Sequence, residues 1–141
     1  MPIDPDLLPR EDEKDDDLAR AYIEFAHAES KSPEWYALFW AWKRMHYLVK
    51  YLPQKVWNII LLIWSMDPSA TIIQELSAGP LEDLLAQHGD GVIGLVEAET
   101  QRDPTFAKLL GGVWKNRMTD EVWGRVQSVW DRRGWDGIPE A

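Results

Sequence analysis

The sequence predicts an all-α protein of seven or eight short helices, arranged as an irregular bundle or a HEAT-like, solenoid-like stack of helical hairpins. Three observations carry this. Apolar residues recur at helical spacing through most of the chain. No stretch alternates with period two. Glycine or proline punctuation returns about every 10–18 residues, the length of ordinary helices rather than strands.

The elements follow in order. Leu18, Tyr22, Phe25 and Ala26 lie on one helix face, with Asp15, Asp16 and Asp17 at its positive N-terminal end. Lys31-Ser32-Pro33 breaks the chain, and Pro33 suits a first helical position. The second helix is expected over 33–51. Pro53 opens a third, ending near Met66 and apolar on nearly every side, as a central helix is. Asp67-Pro68-Ser69 starts a fourth, with Ile72, Ile73 and Leu76 inward. Gly79-Pro80 ends it and starts a fifth, and Asp90-Gly91 separates that from a sixth carrying Val92, Leu95 and Val96. Asp103-Pro104-Thr105 opens a seventh, on which Phe106, Leu109, Leu110 and Val113 share a face. Thr119 caps the last, which ends at Gly134. The two Asp-Pro starts lie 36 residues apart, the spacing of a helical-hairpin repeat.

Length and charge set the organisation. The 141 residues make one domain's worth of core. Residues 1–15 combine three prolines with a charge run and are expected to form an acidic, flexible tail. Residues 16–134 are expected to form a single helical domain, and 135–141 a C-terminal tail. The net charge of −9 is uneven: −6 over 1–17, +3 over 18–66, −7 over 67–103 and +1 over 104–141. Such a chain repels phosphate backbones, so no nucleic-acid partner is expected, and a basic protein partner is easier to reconcile. Absence of cysteine excludes disulfides and thiolate metal sites. The longest apolar run, 59–64, is too short to span a bilayer, and the N-terminus has no signal-peptide core. A soluble, cytoplasmic protein with no membrane association is expected.

Three constellations could carry chemistry. Glu24-x-x-His27 is half of a carboxylate di-metal site, but no second copy exists, so it is read as a surface pair. Glu82, Asp83 and His88 form the candidate functional cluster. Adjacent carboxylates on a helix point about 100° apart, and His88 falls on yet another side. Position explains all three: acids in a first turn, then His88 and a left-handed Gly89 at a helix end. The third is the aromatic helix. Trp35, Leu38, Trp42, Met45, His46 and Val49 form one face, with His46 expected as a hydrogen-bonded core histidine. Tyr36, Trp40, Tyr47 and Tyr51, flanked by Lys43, Arg44 and Lys50, form a candidate partner surface. There is no Gly-x-Ser-x-Gly elbow, and Gly111-Gly112 lacks the strand and lysine of a phosphate loop. No catalytic residue, metal ligand or cofactor is assigned.

Gly79–Leu85, His88-Gly89, Asp103–Phe106, Val113-Trp114 and Asp120–Trp123 resemble the pattern of a family of small bacterial helical proteins of unknown function. The resemblance covers about residues 57–130 and leaves the aromatic helix outside. It implies a compact helical domain and no established activity. The functional expectation is a non-catalytic protein-binding module, immunity- or antitoxin-like, acting on a basic toxin through an acidic surface. The alternatives are an enzyme or metal-binding protein using Glu82, Asp83 and His88, and a homo-oligomeric scaffold burying the Tyr36/Trp40 stripe.

Overall fold

The computed structural model describes residues 4–133 and 135. Among these it is all-helical, without strands. The helices are α1 (Asp15–His27), α2 (Pro33–Tyr51), α3 (Pro53–Met66), α4 (Ala70–Leu76), α5 (Glu82–Arg102), α6 (Phe106–Leu110) and α7 (Asp120–Val129). A π-helical turn, Ser77–Leu81, joins α4 to α5. The chain divides into two compact units, residues 1–72 and 73–141.

In the first unit α1, α2 and α3 pack pairwise against one another. Local chemistry sets their ends. The Lys14 N–H donates to the Asp17 carboxylate at the start of α1. Ser32 Oγ accepts the Trp35 N–H at 3.1 Å, with Pro33 in the first turn of α2. Pro53 opens α3 in the same way. The core is Leu18, Tyr22 and Phe25 from α1, Ala41, Met45, Leu48 and Val49 from α2, and Val56, Trp57, Ile59, Ile60 and Ile63 from α3. Burial of each large apolar side chain contributes about 1.5–3 kcal/mol.

In the second unit α5 touches the π turn, α6 and α7. The expected fifth and sixth helices run together through α5 but meet at a kink at His88 (φ −132°, ψ 28°), two residues before the expected break at Asp90-Gly91. Gly89 is not left-handed. A Cβ there would lie 3.0 Å from both methyls of Val122, so its missing side chain admits α7. The chain kinks at the Gly79-Pro80 junction, where one helix was expected to end and the next to begin. Gly79 takes a non-helical φ/ψ (−113°, −107°), and Pro80 has no N–H to place in the ladder.

The two Asp-Pro starts share one local device. Asp67 Oδ1 accepts the Ser69 N–H, and Asp103 Oδ1 accepts the Thr105 N–H, each three residues before its helix. The seventh predicted helix is only the short α6. Gly111 and Gly112 end it, and Val113 is buried from the loop that follows. Thr119 Oγ1 accepts the Val122 N–H as expected. The last helix stops at Val129, before the expected end at Gly134. Gly134 lies outside the described residues, as do 1–3 of the expected N-terminal tail and 136–141 of the expected C-terminal tail.

Residues 130–133 and 135 return over α6. The Asp131 N–H donates to Ala107 O at 2.8 Å, Arg132 Nη1 to Gly111 O at 2.6 Å, and Trp135 Nε1 to Lys108 O at 2.8 Å. A Cβ on Gly112 would sit 2.5–2.8 Å from the Trp135 ring. The Gly-Gly pair is therefore a seat for an indole. No described helix is long and apolar enough to cross a membrane.

Candidate functional site

The surface of α2 differs from the expectation in an informative way. Its buried face is Ala41, Arg44, Met45, Leu48 and Val49. Trp42 and His46, expected inside, point outward. The two rings lie 3.8 Å apart, and His46 Nδ1 donates to the Trp42 carbonyl one turn back. They end a ladder of rings that starts on α1. Phe25 meets Trp35 at 5.3 Å, Trp35 meets Phe39 at 5.0 Å, and Phe39 stacks on Trp42 at 5.1 Å. Tyr36 sets its edge against Trp35, and Tyr47 lies 4.8 Å from Tyr51. Tyr36 is 61% exposed and Tyr51 57%.

The rest of the candidate partner stripe is covered by the chain itself. Residues 4–13, expected as a loosely held tail, lie on Trp40, Lys43 and Arg44. Lys43 Nζ donates to Asp4 at 2.8 Å and approaches Asp6 at 3.5 Å. Arg44 Nε donates to the Asp6 carbonyl at 3.0 Å, and Arg44 Nη1 pairs with Glu13. Two guanidiniums approach the Trp40 ring, Arg10 at 5.4 Å and Arg44 at 5.3 Å. Arg44 is fully buried, not a flank of an exposed stripe. The hydrogen bond from Lys43 holds the Asp4 carboxyl below its ordinary value, and the same bond raises the Lys43 ammonium.

Glu82, Asp83 and His88 all stand on α5. Glu82 reaches across 32 residues rather than capping its own helix. Its carboxylate accepts the Trp114 N–H at 2.8 Å and an Asn116 side-chain N–H at 3.2 Å. Asn116 sits at φ 50°, a left-handed conformation that asparagine tolerates. Burial raises the Glu82 pKa above the ordinary glutamate value, against the two hydrogen bonds, which lower it. The group is thus a latch for the α6–α7 loop. Asp83 follows it in the first turn of α5, and His88 marks the bend. No group of three or more His, Asp or Glu side chains placed to hold a metal ion occurs among the described residues.

Glu24-x-x-His27 does not act as a pair. His27 Nε2 donates to Asp67 Oδ2 at 2.7 Å, tying the end of α1 to the residue after α3. This bond lowers the Asp67 pKa. Sequence reasoning missed it because nothing local links positions 40 residues apart. Covering of Trp40, Lys43 and Arg44 did leave a signal: a −6 segment stands directly before a +3 segment.

A family model, described as a family of unknown function (DUF6869), matches residues 27–134. The chain belongs to this family. The matched region takes in the aromatic helix α2, which the sequence resemblance had left outside, together with the π turn and everything through α7. In this DUF6869 chain α1 and residues 4–13 precede the matched region, apart from His27. Neither a search of curated proteins nor a search of solved structures returned a match.

Proposed function

We propose that this DUF6869 protein is a non-catalytic bacterial protein-binding module, which recognises a basic protein partner through exposed aromatic side chains of α2. In its most specific form it is an immunity- or antitoxin-like protein of the cytoplasm that holds a basic toxin. One observation carries the reading: Tyr36, Trp42 and Tyr51 are large aromatic side chains exposed on a single helix. Exposed carboxylates stand beside the start of that helix. Glu24, Glu29 and Glu34 have no ion-pair partner among the described residues. Ring faces flanked by carboxylates suit lysine and arginine side chains, through cation–π attraction of about 0.5–2 kcal/mol each and charge pairing. A net charge of −9 steers a basic partner towards the chain.

The runs Gly79–Leu85, His88-Gly89, Asp103–Phe106, Val113-Trp114 and Asp120–Trp123 are read as the family's structural signature. What supports this is that their residues bend, cap or seat helices: the π turn, the bend at His88, the Asp103 turn and the Thr119-capped start of α7.

The test is co-purification with the products of neighbouring genes, using wild type and a Tyr36→Ala/Trp42→Ala chain. A basic partner retained by wild type and lost by the double variant is the expected result. Equal retention by both chains, or no partner among those products, overturns the proposal.

A further inference from the structure

We propose that Trp40, Lys43 and Arg44 on α2 form a binding site for a non-helical acidic peptide, filled by the chain's own residues 4–13 and open to the same segment of a second copy. This site shares α2 with the exposed aromatic side chains, but its acidic occupant makes the inference independent of the proposed basic partner.

The chemistry of the patch is that of a carboxylate reader. An ammonium and a guanidinium on adjacent residues of the helix meet carboxylates at positions 4, 6 and 13 and a main-chain carbonyl at Asp6. Trp40 offers a ring face to Arg10 of the same segment. A guanidinium only donates, and in a fixed fork, so it selects a ligand rich in acceptor oxygens. Arg44 Nη2 is buried and has no hydrogen-bond partner among the described residues, so its donor capacity is not exhausted.

The occupant is built to exchange. Residues 4–14 hold no helix, only two turns, Leu7 N–H to Asp4 O and Glu13 N–H to Arg10 O. Pro5, Leu8, Arg10, Glu11 and Asp12 are exposed. The Lys43–Asp4 and Lys43–Asp6 pairs are partly solvated and are screened by salt. The buried Arg44–Glu13 pair adds little net hold, because desolvation of both charges cancels much of their attraction. A second copy brings an identical segment, whose Asp4 and Asp6 can repeat the contacts to Lys43 and Arg44. The difference is the tether, which supplies an effective concentration on the order of millimolar. In dilute solution the chain's own segment therefore wins.

The experiment uses the full chain. A fluorescent peptide of residues 1–14 is titrated into wild type, into an Asp4→Asn/Asp6→Asn chain, and into that chain with Lys43→Glu added. Weakening the tethered segment is expected to tighten peptide binding at least tenfold over wild type, and Lys43→Glu to abolish the gain. In parallel, an Asp4→Cys chain is mixed with a Lys43→Cys chain under oxidising conditions. The chain has no native cysteine, so a disulfide-linked heterodimer reports the segment seated on the other copy. A Glu29→Cys chain replaces Lys43→Cys as control. Heterodimer above that control supports exchange. Peptide binding no better than that of a scrambled peptide of equal charge, binding that survives Lys43→Glu, or heterodimer at control level overturns the proposal.

Discussion

Replacing Glu82 by alanine separates a latch from an active site. Alanine removes the carboxylate that accepts the Trp114 N–H at 2.8 Å and the Asn116 amide at 3.2 Å. Hydrogen bonds to a charged acceptor contribute about 1.5–3 kcal/mol each when well protected. Trp114 and Asn116 are exposed, so water replaces much of that, and removing a half-buried carboxylate relieves its desolvation. A net loss of about 1–2 kcal/mol is expected, a fall in Tm of roughly 3–8 °C for a chain of this size. Glu82→Gln should recover most of it, since its carbonyl still accepts from Trp114. The pH dependence has a definite sign. The folded pKa is raised, so the folded chain binds a proton more readily than the unfolded one. Glu82 therefore adds to stability as pH falls from above its folded pKa towards the ordinary glutamate value, and withdraws that contribution as pH rises. Both variants should lose this slope. Urea denaturation between pH 4 and 8 provides the assay. An alanine variant as stable as wild type, or a glutamine variant as weak as alanine, would refute the latch.

Three further outcomes are expected. Gly111→Ala places a Cβ against the Asp131 carbonyl and 2.7 Å from the Trp135 ring, so the C-terminal segment should lift; limited proteolysis after residue 130 should accelerate, with a stability loss of about 1–3 kcal/mol in thermal unfolding. Ser77 is buried, and its hydroxyl lies 2.6 Å from both Ile73 O and Leu109 O; Ser77→Ala leaves the Leu109 carbonyl without it, and denaturant titration should show a loss of about 1–2 kcal/mol. The Asp67 carboxyl, followed by NMR, should titrate below the ordinary aspartate value in wild type and move up in His27→Ala. Because that pKa is depressed by folding, its stabilisation is present above the ordinary value and lost as pH falls through the folded one.

Much of the fold was legible because local chemistry dictates helix starts. Pro33, Pro53, Asp67, Asp103 and Thr119 each act within three residues of where they stand, and the structure uses each of them so. Helix ends were less legible. Gly89 read as a stop because glycine commonly ends helices, yet its missing side chain serves Val122, more than 30 residues away. The candidate site suffered for the same reason. His46 sat on an apolar stripe by periodicity but faces outward, and Arg44 read as a surface cation but is buried under Glu13. Periodicity says which side chains share a face. It does not say which face meets a neighbour.

Local pattern alone establishes that the chain is helical, where most helices begin, and which residues are available to form a core, because caps, prolines and apolar spacing act over a few residues. Packing decided that Glu82 latches a loop, that His27 holds Asp67, that two glycines seat Trp135, and that the acidic N-terminal segment covers Trp40, Lys43 and Arg44 of the aromatic helix. Each of these joins groups separated by more than 20 residues. Their pairing depends on how packed helices bring distant charges and rings together, which no local pattern encodes.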